Sequence, residues 1–154
     1  KHTLCLTPQY CIALFLASKS KKVIGIETVF ESVDEADSNM KLNNIVNADF
    51  FCGLVENVFN NDFVKNQGKA DVVVLDPPRP GIHPKVVEAL LDVAPARLVY
   101  VSCNPATQAR DIALMNEYYR VEAVQPVDMF PHTHHVENIA LLVKRSVAEA
   151  PLIS

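Results

Sequence analysis

Cys103 lies in Val101-Ser102-Cys103-Asn104-Pro105, between an apolar run and a helix start. Backbone N–H groups and the helix dipole favour thiolate over thiol there, so the position suits a nucleophile. It also suits a cysteine buried as a small hydrophobe. Asp76-Pro77-Pro78-Arg79 is a rigid turn, with Pro80 and Gly81 next. Its prolines fix φ and remove two donors, which leaves carbonyls that, with Asp76, can hold a planar nitrogenous group. A stiff loop with a capping Asp accounts for the same residues. Glu27 closes the apolar run Val23–Ile26. A carboxylate at such a strand end can accept two ribose hydroxyls, or it can be an ordinary surface Glu. His132, His134, His135 and Glu137 cluster in one short segment. They raise a metal site, but no H-x-x-x-H spacing and no nearby Cys supports one, and no metal is expected. Glu137, leading into an apolar run, fits a general base whose histidine neighbours shape or charge a pocket. A plain polar loop fits as well.

These residues need a frame that brings them together. Asp71–Asp76, Leu98–Ser102 and Ile139–Val143 are continuous apolar runs like Val23–Ile26, the pattern of strands covered on both faces. Asn47–Cys52 and Val121–Val127 are weaker strand candidates, and Thr3–Leu6 reads as the stump of a first strand, short or frayed. Ile12–Ser18 reads as a short helix. Thr28 and Glu31 have capping-box spacing ahead of Val33, Ala36 and Met40. Val86, Val87, Leu90 and Leu91 form a helical stripe stopped before Pro95. Asn104-Pro105 starts another helix, with Ile112 and Met115 facing inward. The alternation predicts a three-layer α/β domain with a mostly parallel sheet. Ligands in such sheets bind beyond the carboxyl ends of the strands, where Glu27, Asp76 and Cys103 all fall. Two strand candidates in succession at the end predict seven strands, the last antiparallel.

The chain has 154 residues, 49% apolar and 21% charged, which suits one domain with a true core and excludes a disordered chain. No apolar run is long enough for a membrane span, and no secretory signal is expected. A net charge of −4 excludes a generic basic nucleic-acid arm. The four cysteines form no C-x-x-C pair, so reduced thiols in a cytoplasmic protein are expected, with Cys5, Cys11 and Cys52 in the core.

DPPRPG (76–81), YVSCNPATQARD (100–111) and VQPVDMFPHTHHVE (124–137) together resemble the catalytic half of the S-adenosylmethionine-dependent RNA uracil-5-methyltransferases, the bacterial 23S ribosomal RNA branch above all. The resemblance runs from Val23 to Arg145. It implies a Rossmann-like class I methyltransferase fold, with helices on both faces of the seven-stranded sheet. It also implies a C-terminal catalytic domain over residues 1–145 with a tail at 146–154. S-adenosyl-L-methionine is the implied cofactor. The implied substrate is RNA, ribosomal rather than transfer, gripped mainly by domains outside this chain. Neither a membrane nor a metal is implied. By the same resemblance Cys103 is the nucleophile and Glu137 the base, Glu27 and Asp76 hold the cofactor, and Arg79 and Asn104 meet the substrate. The family pattern breaks at Leu4–Cys11, where Pro8 and Tyr10 stand in place of two glycines of the cofactor loop and Leu4 in place of an Asp. Two other readings remain. An amino-group methyltransferase would use the Asp-Pro-Pro turn without a cysteine, and a non-catalytic fragment would have lost the cofactor loop.

Overall fold

The computed structural model describes residues 1–6, 10–129, 131–133 and 136–146. Strands β1 (His2–Leu6), β2 (Lys22–Glu27), β3 (Ala48–Cys52), β4 (Val72–Leu75), β5 (Arg97–Ser102), β6 (Tyr119–Val127) and β7 (Glu137–Lys144) form one sheet in the order β3-β2-β1-β4-β5-β7-β6. The first five strands are mutually parallel, whereas β7 runs antiparallel between β5 and β6. Helices α1 (Tyr10–Ala17), α2 (Phe30–Leu42), α3 (Val55–Val58), α4 (Asn61–Gln67), α5 (Pro84–Val93) and α6 (Pro105–Leu114) connect them.

The apolar runs explain this arrangement. β1 is not frayed: it lies inside the sheet, laddered to both β2 and β4, with Leu4, Cys5 and Leu6 buried. Position in the sheet, not in the chain, decides which strand frays. On one face Leu4, Leu6, Ile26, Leu75, Leu98 and Tyr100 pack with Val86, Val87 and Leu90 of α5. On the other, Cys5, Val23 and Val74 meet Ala13 and Ala17 of α1, with Met40 of α2 alongside. Burial pushes the Cys5 thiol up to about 12, which makes it an inert core group.

Three local expectations are corrected. The Thr28–Glu31 capping box does not form. α2 is capped by Val29 without a side-chain bond, because the Glu27 carboxylate already accepts Val29 N–H (3.0 Å) and the Thr28 hydroxyl (3.2 Å). Cys11 and Cys52 are exposed rather than core, one in the first turn of α1 and the other at the end of edge strand β3. Between β3 and β4, where the sequence suggested no element, lie α3 and α4. The latter is capped by Asn60, which accepts Phe63 N–H at 2.9 Å. Among the described residues no helix is long and apolar enough to cross a membrane.

Candidate active site

Parallel register brings the carboxyl ends of β1, β2, β4 and β5 to one edge, with Leu6 beside both Ile26 and Leu75, and Leu75 beside Tyr100. The reversed β7 delivers its first residues to the same edge. Ser102 pairs with Asn138 at the end of that ladder, and Cys103 follows Ser102 while Glu137 precedes Asn138, so the two residues flank its last pair. Both are half-buried. Cys103 stands between the last residue of β5 and Asn104, the N-cap of α6, whose Oδ1 accepts Ala106 N–H at 3.2 Å.

A cavity of about 690 Å³ opens beside this edge, with Leu6, Ile26, Thr28, Leu75 and Asp76 in its wall. That size suits a small-molecule ligand. Glu27, Cys103 and Glu137 are not in its lining. Glu27 is 2% exposed. Its Oε1 is used by Thr28 and Val29, whereas Oε2 is buried without a hydrogen-bond partner. An unpaired buried oxygen of this kind costs about 1–3 kcal/mol and calls for a donor from outside the protein. Asp76 lies in the cavity wall and within electrostatic reach of Glu137. Partial burial, and then the nearby Glu137 charge, raise its carboxyl to about 6.

The loop from Asp76 to Pro84 is held by one face of α6. Asn104 Nδ2 and Thr107 Oγ1 both donate to the Arg79 carbonyl, at 3.3 and 3.1 Å. Arg110 Nη2 donates to the Pro80 carbonyl at 2.7 Å. Asp111 is 1% exposed. Its Oδ2 accepts Ile82 N–H and the Tyr100 hydroxyl, each at 2.7 Å, and its Oδ1 accepts Arg110 Nε at 2.9 Å and Nη2 at 2.6 Å. Burial and the Asp111 bond raise the Tyr100 phenol far above its usual range. Gly81 has φ +94°, and a Cβ there would strike Asp111 Oδ2 and Arg110 Nη2. Next on the helix, buried Gln108 reaches the other way. Its Nε2 donates to the carbonyls of Tyr100 (2.8 Å) and Asn138 (3.1 Å), and its Oε1 accepts Asn138 Nδ2 (2.5 Å).

The sequence-nominated residues Glu27, Asp76, Cys103 and Glu137 thus share one edge, with Arg79 exposed on the loop beside them. Asn104 is occupied as a cap and as a tie to Arg79. Thr107, Gln108, Arg110 and Asp111 lie within the motif YVSCNPATQARD, but the sequence alone assigns none of them a role. The available signal was polar side chains recurring every three or four positions along a helix that should bury one face. His132 is exposed with φ +77°, while Phe130, His134 and His135 lie outside the described residues. Of the segment 4–11, Thr7, Pro8 and Gln9 also lie outside them, and Tyr10 opens α1 with its hydroxyl donating to Glu35 at 3.2 Å. Among the described residues no three His, Cys, Asp or Glu side chains come together as a metal would need.

Known proteins resemble this chain in sequence and in fold. A Porphyromonas gingivalis protein named as an uncharacterized RNA methyltransferase is 52% identical over 137 residues, covering 88% of this chain and 30% of its own length. One of the same name from Bacteroides thetaiotaomicron is 51% identical, covering 87% of this chain and 30% of its own length. The chain therefore spans about 30% of the length of the curated relatives it matches. The crystal structure of Pyrococcus abyssi tRNA (uracil-54, C5)-methyltransferase, in complex with S-adenosyl-L-homocysteine, is 34% identical with a TM-score of 0.81, over 93% of this chain and 34% of that one. An rRNA methylase from Streptococcus thermophilus shares the fold at 15% identity, with a TM-score of 0.69 over 95% of this chain and 87% of that one. The family described as tRNA (uracil-5-)-methyltransferase matches residues 4–145, and with its seven-stranded Rossmann-like sheet the chain belongs to that family of RNA methyltransferases.

Proposed function

We propose that the protein methylates carbon 5 of a uridine in RNA through a covalent bond between Cys103 and the uracil ring. The observation that carries this reading is the β5–β7 register, whose last pair, Ser102 with Asn138, is flanked in sequence by Cys103 and Glu137, with Asp76 within electrostatic reach of Glu137. Carbon 5 of uracil is too weak a nucleophile unaided. The Cys103 thiolate adds to carbon 6 and moves electron density onto carbon 5. S-adenosyl-L-methionine, when bound, supplies an electrophilic methyl group on a sulfonium. Glu137 then takes the carbon 5 proton, that C–H electron pair forms the ring double bond, and the C–S bond breaks to return the thiolate.

The residues suit that cofactor. Glu27 Oε2 is a buried acceptor without a donor, matched to a ribose hydroxyl, and Asp76 lines a cavity of adequate size. Asn104 and Thr107 fix the carbonyl of Arg79, and we assign Arg79 and Asn104 to the lip that meets the target nucleotide. A net charge of −4 offers little hold on phosphate, so the main grip on RNA is assigned to the rest of a longer, cytoplasmic protein. Ribosomal RNA is the substrate class favoured by the motif resemblance.

The test uses the full-length protein. A 23S ribosomal RNA transcript and a transfer RNA, each carrying 5-fluorouracil, are incubated with protein and S-adenosyl-L-methionine. Fluorine cannot leave carbon 5 as a proton does, so a denaturation-resistant protein–RNA band is expected with the ribosomal transcript and is lost in Cys103→Ala. Glu137→Gln is expected to give the band with ordinary uracil. A methylating Cys103→Ala variant would overturn the mechanism, and a band with transfer RNA alone would overturn the substrate class.

A further inference from the structure

Gln108 is 2% exposed and every polar atom of its amide is used. It lies on the helix that begins just after Cys103, one turn beyond the cap. One donor bond goes to the Tyr100 carbonyl of β5, the strand that ends before Cys103. The other two bonds form a closed pair with Asn138, through its carbonyl and its side-chain amide. Asn138 directly follows Glu137. A single buried side chain therefore ties three elements: the nucleophile's strand, the nucleophile's helix and the strand that carries the base.

The energetics make the tie specific. A glutamine amide buried in apolar surroundings is tolerated only when its donors and acceptor are met. Sliding β7 against β5 would strand both Gln108 and the Asn138 amide. The cross-strand ladder already fixes gross register. The amide pair adds a restraint on the first residues of β7, at the strand terminus where ladders otherwise loosen. Because Ser102 faces Asn138, any drift there changes the separation of Cys103 and Glu137 directly.

Resting on the assignment of Cys103 and Glu137 made above, we propose that Gln108, with Asn138, is a positioning residue that holds Glu137 over the carbon 5 proton in the release step. Its role is separable from the first step. Addition of the Cys103 sulfur to carbon 6 needs the β5–α6 junction, which Ser102 also supports by accepting Asn104 N–H at 3.0 Å. Proton removal needs Glu137 in place. When the C–H pair cannot move into the ring, the C–S bond does not break and the methylated RNA stays attached to the protein.

Full-length Gln108→Met keeps the side-chain length and loses all three bonds. With ordinary uracil RNA and S-adenosyl-L-methionine, turnover is expected to fall about tenfold to a hundredfold, as for a displaced catalytic group, while a denaturation-resistant protein–RNA band builds up. The rate of band formation with 5-fluorouracil RNA is expected to stay within about twofold of the parent protein. Asn138→Ser, which spares the Gln108–Tyr100 bond, is the milder second variant and is expected to show the same band more weakly. A merely structural role would lower both steps together. Equal loss of both rates, or normal release in both variants, overturns the positioning role while leaving Cys103 as nucleophile. A band that survives Cys103→Ala overturns the underlying reading and the positioning role with it.

Discussion

Two carboxylates buried at the same sheet edge have opposite surroundings. Glu27, at the end of β2, keeps one buried oxygen without a donor, between Ile26 and Thr28 of the cavity wall. Asp111, on α6, has both oxygens engaged by Tyr100, Ile82 and Arg110. The β2 end is thus left one partner short, as suits the place where a small polar ligand docks. The β4–β5 end is internally complete, as suits groups that must not reorganise during a reaction. Asp76 belongs to both, in the cavity wall and near Glu137.

The largest effect is expected in the complete half, where the proposed chemistry lies. Cys103→Ala should lower methylation by several orders of magnitude with folding intact, measured as methyl incorporation into RNA by the full-length protein. A near-normal rate would make the β4–β5 half mere scaffold. Next in size, Asp111→Ala should cost about 3 kcal/mol in urea unfolding, since it removes charged hydrogen bonds and strands the buried Tyr100 hydroxyl. A loss under about 1 kcal/mol would show that the α6 clamp is not what holds the Asp76–Pro84 loop. Glu27→Gln should do the reverse. Stability should stay within about 1 kcal/mol, while calorimetric affinity for S-adenosyl-L-methionine drops about tenfold. Unchanged affinity would leave the open oxygen without a purpose.

The smallest effect concerns pH. The Asp76 carboxyl moves from 3.8 to about 6 on folding, so the folded protein holds that proton more tightly than the unfolded chain does. Its contribution to stability is therefore greatest below about pH 4, declines as pH rises towards about 6, and is level above that. The urea midpoint of Asp76→Asn relative to the parent protein should rise across this interval. A flat difference would place Asp76 outside the influence of burial and of Glu137.

Much of this edge was legible in the residues. The runs within Asp71–Asp76, Leu98–Ser102 and Ile139–Val143 are apolar on both faces, a signal that survives without knowing the partners. Asn104-Pro105 announced α6 through local capping chemistry alone. What failed depended on distant or competing groups. α1 is apolar nearly all round, so no stripe told which face turns out, and Cys11 and Phe15 are exposed. The Thr28 cap lost to a carboxylate one residue upstream. Asp111 and Gln108 looked like ordinary polar helix residues, because the groups they satisfy lie on other elements, in the loop and in β7.

The reversal of β7 also orders events in time. A ribosome extending this chain supplies Glu27, Asp76 and Cys103 at the ends of strands that can pair with neighbours already made. Glu137 arrives last, on a strand that must insert between β5 and β6. Ladders between strands distant in sequence are the slow part of folding. Until that insertion the nascent domain carries Cys103 at its edge without the carboxylate of Glu137, and the amide of Gln108 has no Asn138 to meet. Completion of the sheet and completion of the site are the same event.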